Sequence, residues 1–447
     1  MTSRWQDFGF GPWPATGRVP GVAPDEATRR RLDLPRTLRP VPGEGVVQRP
    51  VFDPALKQHV KAMRAGEPQF RDERVGARWY AARRAAFDHV LAAIADSRWA
   101  DHLVLRGSVL LAAWLGPAAR EPGDLDFVVV PRSWHIHDGR TQRMFDDIAH
   151  RSQELSWPGH LGDSGVQVQA NGAVSEEIWT YDRVPGRRLV LPWRAEGLPP
   201  GSVQLDFVFG EPLPRAPEPT TLPRSDGGEP PVLLTATPGL SLAWKVLWLL
   251  TDMHPQAKDV YDAMLLAESP EGTTPLDARL LRETLVAADT AYASRPPGIG
   301  DLSEAVRSVD WDEFRKEYPD LPIDPDGMHD RLLDRLAGAF TEPVDPPGPE
   351  YYRRAGWLAP RIEECRGLLA EQGMAAVRRA LAGRVRAVDA AVIVSELLGR
   401  GPQDIDASVW ELLNSPEWTP GGPGTGELGY YRRNPGWLEE ELAALRG

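Results

Sequence analysis

The sequence predicts an α+β fold, with strands and helices mixed through its first half and a mainly helical remainder. Three observations predict it. "RWYAARRAAFDHVLAAIAD", Arg78 to Asp96, places apolar residues at helical spacing with arginines on the other face. Two apolar, Val-containing runs, residues 124–130 and Ser202 to Gly210, read as buried strands. From near Ser241 the pattern is helical, broken by Pro/Gly-rich linkers at 341–349 and 419–426.

At 447 residues the chain is long enough for two or three domains. Its 42% hydrophobic and 26% charged residues are a globular composition, and no apolar stretch is long enough to cross a bilayer. No membrane partner is expected. The opening "MTSRWQDFGFGPWPATGRVP" lacks the basic-then-apolar layout of a secretory signal, so a cytoplasmic location is expected. The single cysteine, Cys365, forms no internal disulfide and excludes a Cys-rich zinc site.

A net charge of −13 argues against a surface uniformly attractive to nucleic acid. The charge is uneven, however: residues 1–100 hold 17 Lys+Arg against 11 Asp+Glu, leaving −19 for the remainder. That basic end either holds a phosphate backbone or is solvated surface. Only five lysines (Lys57, Lys61, Lys245, Lys258, Lys316) stand against 46 arginines. Where arginine serves for generic positive charge, a lysine that persists points to a need for its compact ammonium.

Along the chain, residues 1–70 read as an extended or partly disordered arm, rich in Pro, Gly and Arg over 1–55. Residues 71–235 carry the helix at 78–96, a short strand His102 to Leu105, and a helix opened by Gly107-Ser108 and stopped at Gly116-Pro117. The strand at 124–130 follows, then a polar helix around Gln142–Glu154. A meander in "EEIWTYDRVPGRRLVLPW" has its expected turn at Pro185-Gly186, and the Ser202–Gly210 strand precedes a Pro-rich loop, Glu211–Pro231. Residues 236–340 form a helical part expected to complete the active site, and 341–447 a helical extension. In that extension "YYRRAGWL" at Tyr351–Leu358 returns as "YYRRNPGWL" at Tyr430–Leu438. Two readings stand: a duplicated docking element with Trp357 and Trp437 packed, or Arg-aromatic pairs that stack on bases.

The chemistry concentrates in "VLRGSVLLAAWLGPAAREPGDLDFVVVP", Val104 to Pro131. Residues two apart on a strand share a side, so Asp124 and Asp126 present two carboxylates to one spot. Such a pair suits Mg²⁺, which takes its other ligands from water and substrate phosphates. Ser108 stands at a helix N-terminus, where free N–H groups and the dipole favour an anion, and Gly107 lets a phosphate approach. Asp206, in "VQLDFVF", is the candidate third carboxylate: a metal ligand and general base, or a buried acid paired with an arginine from the arm. "WHIHD", Trp134–Asp138, offers two histidines but no partner pair at zinc spacing.

These residues resemble the DNA polymerase β-type nucleotidyltransferase superfamily. Within it, "AREPGDLDFVVV" looks most like the AbiEii/AbiGii abortive-infection toxins and the related MenT-type toxins, which carry an Arg before an Asp-Leu-Asp-Phe strand, as Arg120 stands here. "SLAWKVLWLL" and "AKDVYDAMLL" are similar to the group's later motif, with Lys258 in place of its arginine. The resemblance spans roughly residues 80–270. It implies a polymerase β-like core with a mixed sheet and helices, and a nucleotidyltransferase that uses Mg²⁺ (or Mn²⁺). The substrate would be a nucleoside triphosphate (NTP), with metals on Asp124 and Asp126, to which the candidate third carboxylate Asp206 would add a ligand. Gly107, Ser108, Lys258 and Asp262 would serve nucleotide binding, Lys245 would neutralise phosphate charge, and Asp259 would orient or deprotonate the acceptor. The family implies a tRNA 3′ end as acceptor, a toxin role and a cognate antitoxin as partner. The gap from Ser108 to Asp124 is long for the superfamily, and Arg106-Gly107 replaces the commoner Gly-Gly. Two other readings stay open: adenylylation of a cationic small molecule such as an antibiotic, and a catalytically degenerate nucleotide-binding scaffold.

Overall fold

The computed structural model describes all residues except 1–3, 8–16, 57, 60–61, 158–164, 181–183, 270–275, 419–430, 432 and 447. The chain forms two compact units that interleave in sequence. The first is Met1–Pro275 with Asp301–Leu336, and the second is Leu276–Gly300 with Ala337–Gly447. The functional candidates all lie in the first.

The amino-terminal segment holds a short helix α1 (Glu26–Leu32), capped by Asp25, whose carboxylate accepts from the Thr28 N–H. Its strands pair as two small ribbons, β1 (Val46–Val47) with β4 (Gln69–Phe70) and β2 (Pro50–Phe52) with β3 (Met63–Ala65). Trp5, Val19, Leu34, Leu38 and Met63 bury a small core. The expectation of an extended or partly disordered arm over 1–70 is therefore corrected for its described residues. Its apolar side chains are too widely spaced to show a period and gather only in three dimensions.

Helix α2 (Glu73–Ala95) starts where Asp72 caps the Arg74 and Val75 N–H groups, and it buries Trp79, Ala86 and Val90. β5 (Leu103–Arg106), α3 (Ser108–Leu115), β6 (Leu125–Val129) and α4 (Gly139–Leu155) follow close to their predicted places. Then come β7 (Val166–Val168), β8 (Val174–Thr180), β9 (Val184–Ala195), β10 (Gly201–Phe209), β11 (Glu218–Thr221) and β12 (Val232–Thr235). They form one mixed sheet in the order β11-β12-β5-β6-β10-β9-β7, with β8 paired to β9. Strands β6 and β10 run parallel, with Asp126 opposite Asp206 and Phe127 opposite Phe207. On the apolar face the two phenylalanines stack 5.5 Å apart, and Phe145 of α4 packs on Phe207 at 5.0 Å. The core between this face, α2 and α4 leaves the opposite face to the charged residues.

Two strand expectations are corrected. Pro185-Gly186 is not the turn; both lie in β9, opposite Trp179 and Ile178. Pro185 stands one residue beyond the last pair of β9 with β10, so its missing N–H costs no bond on that side. A Cβ at Gly186 would come within 2.9 Å of the Ile178 side chain and the Phe207 carbonyl. The Pro-rich stretch after Gly210 also contributes β11, which the Thr220–Thr235 hydroxyl contact (2.6 Å) ties to β12.

The first unit continues through α5 (Pro238–Thr251) and α6 (Ala257–Glu268), with Thr237 capping α5 and Pro238 at its first turn. α7 (Ala278–Ala288) belongs to the second unit, and α8 (Ile299–Ser308), α9 (Trp311–Glu317) and α10 (Pro325–Thr341) follow it in the chain. The second unit adds α11 (Glu350–Gln372), α12 (Met374–Leu381), α13 (Ala387–Leu397), α14 (Ile405–Leu413) and α15 (Pro435–Arg446) around its own core. The repeated element is asymmetric. Trp357 is buried and donates to Asp345 (3.0 Å), whereas Trp437 is 55% exposed. The expectation that both tryptophans are packed holds for the first only; Tyr430 and Arg432 lie outside the described residues. No described helix is long and apolar enough to cross a membrane.

Because Phe207 carries the apolar side of the strand that positions Asp206, Phe207→Ala is expected to destabilise the protein by about 3–5 kcal/mol. Denaturant unfolding followed by circular dichroism measures it.

Candidate active site

Strand register builds the charged face. Arg106 of β5 lies opposite Asp126 of β6, Asp126 opposite Asp206 of β10, and Asp206 opposite Arg188 of β9. Side chains at paired positions share a face, so an Arg–Asp–Asp–Arg row crosses four strands. Asp124, just before β6, joins from the strand end. One oxygen from each of Asp124, Asp126 and Asp206 lies within 4.8 Å of the others. Both outer arginines are already engaged. Arg106 donates to Glu211 (2.6 Å) and sits over Trp244 and Trp248, at 5.0 and 5.2 Å from the ring centres. Arg188 grips both oxygens of Asp206 at 2.8 Å.

The centre is therefore short of positive charge. Burial, with the added repulsion of Asp124 and Asp206, pushes the Asp126 carboxyl up to about 7. Burial also raises Asp206, despite Arg188. Three converging oxygen donors with unbalanced negative charge fit a hard divalent cation such as Mg²⁺ or Mn²⁺.

Gly107 makes the close approach possible. Its φ is +86°, and a Cβ there would stand 2.3 Å from Asp126 Oδ2. Ser108 follows as the first residue of α3, which has no side-chain N-cap. The buried Ser108 hydroxyl has no hydrogen-bond partner among the described residues. A buried donor at a helix start beside a carboxylate cluster that could hold a cation matches a phosphate oxygen.

The lysine motif folds into a second cluster. Lys245 of α5 reaches Asp259 (2.7 Å) and Asp262 (2.9 Å) of α6, and Asp262 also takes a fork from Arg120. Arg120 in turn donates to the Tyr318 hydroxyl (2.8 Å). Burial alone would raise Asp262, but Arg120 and Lys245 more than reverse it and hold it at about 2. Asp259 is 5% exposed and committed to Lys245, so the expected acceptor-orienting or deprotonating role does not match its place. Its geometry is that of a residue that positions Lys245. Asp262, expected at the nucleotide, is wholly buried between Arg120 and Lys245. The structure thus separates the candidate site residues into a carboxylate row and a neutral ion cluster.

Lys258, by contrast, makes no ion pair among the described residues. It lines a cavity of about 100 Å³ together with Asp124, Arg120 and Arg188. That volume admits a phosphate-sized group and is well below the roughly 300–1,000 Å³ of a pocket for a whole small molecule. The lining carries six basic side chains (Arg39, Arg64, Arg83, Arg120, Arg188, Lys258) against two acidic ones, Glu67 and Asp124.

Sequence reasoning missed Arg106 as a flanking charge, Arg188, and Asp53, which accepts from Arg188 at 2.7 Å. Asp206 does pair with an arginine, but from β9 and not from the arm; the arm supplies the carboxylate Asp53. Arg188 had a weak signal, as an arginine in the apolar run "RRLVLPW". The histidines of "WHIHD" join no described metal-ligand cluster, and Trp134 is a core residue.

A mixed sheet whose adjacent strands bring acidic residues together beside a Gly-Ser helix start is the framework of a nucleotidyltransferase. Residues 89–355, more than half of the chain, match the profile described as nucleotidyl transferase AbiEii toxin, Type IV TA system. The chain belongs to that family, and it is a nucleotidyltransferase in a toxin family of type IV toxin–antitoxin systems. Among solved structures it is similar to MenT4, a nucleotidyltransferase toxin from Mycobacterium tuberculosis, at 20% identity and a TM-score of 0.41. That match covers 62% of this chain and 89% of the other. No curated protein sequence matches it significantly.

Two outcomes are expected. The raised Asp126 carboxyl favours the fold fully below its ordinary value of 3.8, and this contribution is lost as pH rises through about 7. Without divalent ions, Asp126→Asn should therefore melt higher than wild type at pH 8 and gain no such advantage at pH 4, by thermal scans. Gly107→Ala should keep the fold but displace Asp126, lowering nucleotidyl transfer by about 10²-fold, read as labelled product.

Proposed function

We propose that the protein transfers a nucleoside monophosphate from an NTP to an acceptor hydroxyl, with Asp124, Asp126 and Asp206 holding Mg²⁺ or Mn²⁺. The bond that forms joins the acceptor oxygen to the α-phosphorus, and the bond that breaks releases pyrophosphate. The observation that carries this reading is the convergence of three carboxylates from β6 and β10 next to the unpartnered Ser108 hydroxyl. Divalent ions, when bound, supply the positive charge that draws electron density from the phosphoryl oxygens.

The chain's own groups do the rest. Ser108 and the free N–H groups at the start of α3 bind phosphate oxygens, and Gly107 keeps that approach open. Lys258 places a compact ammonium in the cavity that Asp124 also lines, where it would bind phosphate oxygens of the NTP. Lys245 contributes positive potential from the cluster held by Asp259 and Asp262.

For the acceptor, Lys258, which lines the cavity with Asp124 and has no ion pair among the described residues, favours an anionic molecule over a cationic antibiotic, despite the acidic net charge. Arg64, Arg83, Arg120 and Arg188 of the same lining are already paired with acids. We take RNA, and within it a tRNA 3′ end, as the acceptor. The family membership supports an antitoxin protein as a further partner. A degenerate scaffold is disfavoured because all three carboxylates, the glycine and the serine are in place.

The test is transfer from each α-labelled NTP onto total RNA, onto purified tRNA, or with no acceptor. Wild type should label tRNA, and Asp126→Asn should label it less by about two orders of magnitude or more. Equal labelling by both proteins defeats the metal assignment; labelling that does not depend on RNA defeats the acceptor.

A further inference from the structure

The third carboxylate is not free to turn. Arg188 Nε donates to Asp206 Oδ1 and Nη2 to Oδ2, both at 2.8 Å, and Nη1 donates to Asp53 Oδ2 at 2.7 Å. All three residues are buried: Arg188 is 3% exposed, Asp206 7% and Asp53 8%. We propose that Arg188 is a positioning residue that fixes Asp206 toward the metals, and that Asp53 of the amino-terminal segment anchors it in that task.

The geometry carries the assignment. A planar guanidinium bound through two parallel N–H groups fixes the plane of the carboxylate as well as its place. Asp206 Oδ1 spends one lone-pair direction on Arg188 and keeps another, whereas Oδ2 also lies 3.4 Å from the Gln204 side-chain amide. Asp206 remains within 4.8 Å of the oxygens of Asp124 and Asp126, so it is held at the cluster and not drawn from it. Backbone register alone brings the Asp206 Cα opposite Asp126; it leaves the side-chain torsions open, and the fork closes them. Asp53 takes one of the three N–H groups that the fork leaves over. Arg188 thus joins a strand of the sheet to a residue from outside it. Arg188 lines the cavity beside Asp124, but its Nε, Nη1 and Nη2 are each committed to Asp206 or Asp53, and Asp53 is not among the lining residues.

This rests on the metal role of the three aspartates, and the experiment separates the two claims. Full-length wild type, Arg188→Lys, Arg188→Gln, Asp53→Ala and Asp126→Asn are titrated with Mn²⁺ alone by electron paramagnetic resonance. The Mg²⁺ concentration for half-maximal transfer and the KM for NTP at saturating Mg²⁺ are then measured. Arg188→Lys keeps the charge and loses the fork, so its fold is preserved where Arg188→Gln leaves two buried carboxylates uncovered. Outer-sphere partners of metal ligands typically change affinity by about 10- to 100-fold. Arg188→Lys is expected to weaken Mn²⁺ binding by about tenfold and to raise the Mg²⁺ requirement in proportion, with KM for NTP unchanged. Asp53→Ala is expected to move both in the same direction, less far. Unchanged or tighter Mn²⁺ binding in Arg188→Lys overturns the proposal, since the charge alone then suffices or Arg188 competes with the metal. Wild-type Mn²⁺ binding in Asp126→Asn overturns instead the metal reading beneath it.

Discussion

Two carboxylates facing each other across adjacent parallel strands are the constraint around which the first unit is arranged. At an effective dielectric of about 20, like charges about 5 Å apart repel by about 3 kcal/mol, a sizeable part of a domain's net stability. The sheet answers with arginines on both sides of Asp126 and Asp206, and each arginine is itself held by a further acid, Glu211 or Asp53. The remaining imbalance appears in the raised Asp126 carboxyl. A fold selected for stability alone would fill these positions with apolar residues, as it does on the other face with Phe127 and Phe207.

The same strands also explain the division between the two faces. Leu125 and Phe127 are fully buried while Asp126 points away from them, so one residue of register would exchange core for site. The stacked phenylalanines and Phe145 lock that register from below. Catalytic geometry and hydrophobic packing are thus two readings of one alternation.

Much of this was legible in the linear sequence because its signals are local. The period of two around Asp124 and Asp126, the Gly107-Ser108 helix start and the apolar flanks of Asp206 each show within a few residues. The rarity of lysine also pointed to Lys245 and Lys258, which lie in the first unit, one in an ion cluster and one at the cavity. What was not legible is pairing across long separations. Nothing in the sequence says that Arg188 will stand opposite Asp206, or that Asp53 will complete its bonding. For Asp259 motif order suggested contact with an acceptor, and the fold adds what the motif does not show, a buried pairing with Lys245. The amino-terminal segment misled for a compositional reason, since Pro, Gly and Arg hide a small core of well-separated apolar side chains.

The parallel pairing of β6 with β10 carries a temporal consequence. Parallel neighbours need an intervening crossover, and here residues 130–200 supply it with α4 and the meander. Asp53, the three carboxylates, the flanking arginines and the lysine cluster therefore span residues 53 to 262, and no shorter contiguous stretch contains them all. A ribosome-bound chain would be catalytically silent until most of its length had emerged. For an enzyme from a toxin family, such late assembly leaves incomplete translation products harmless.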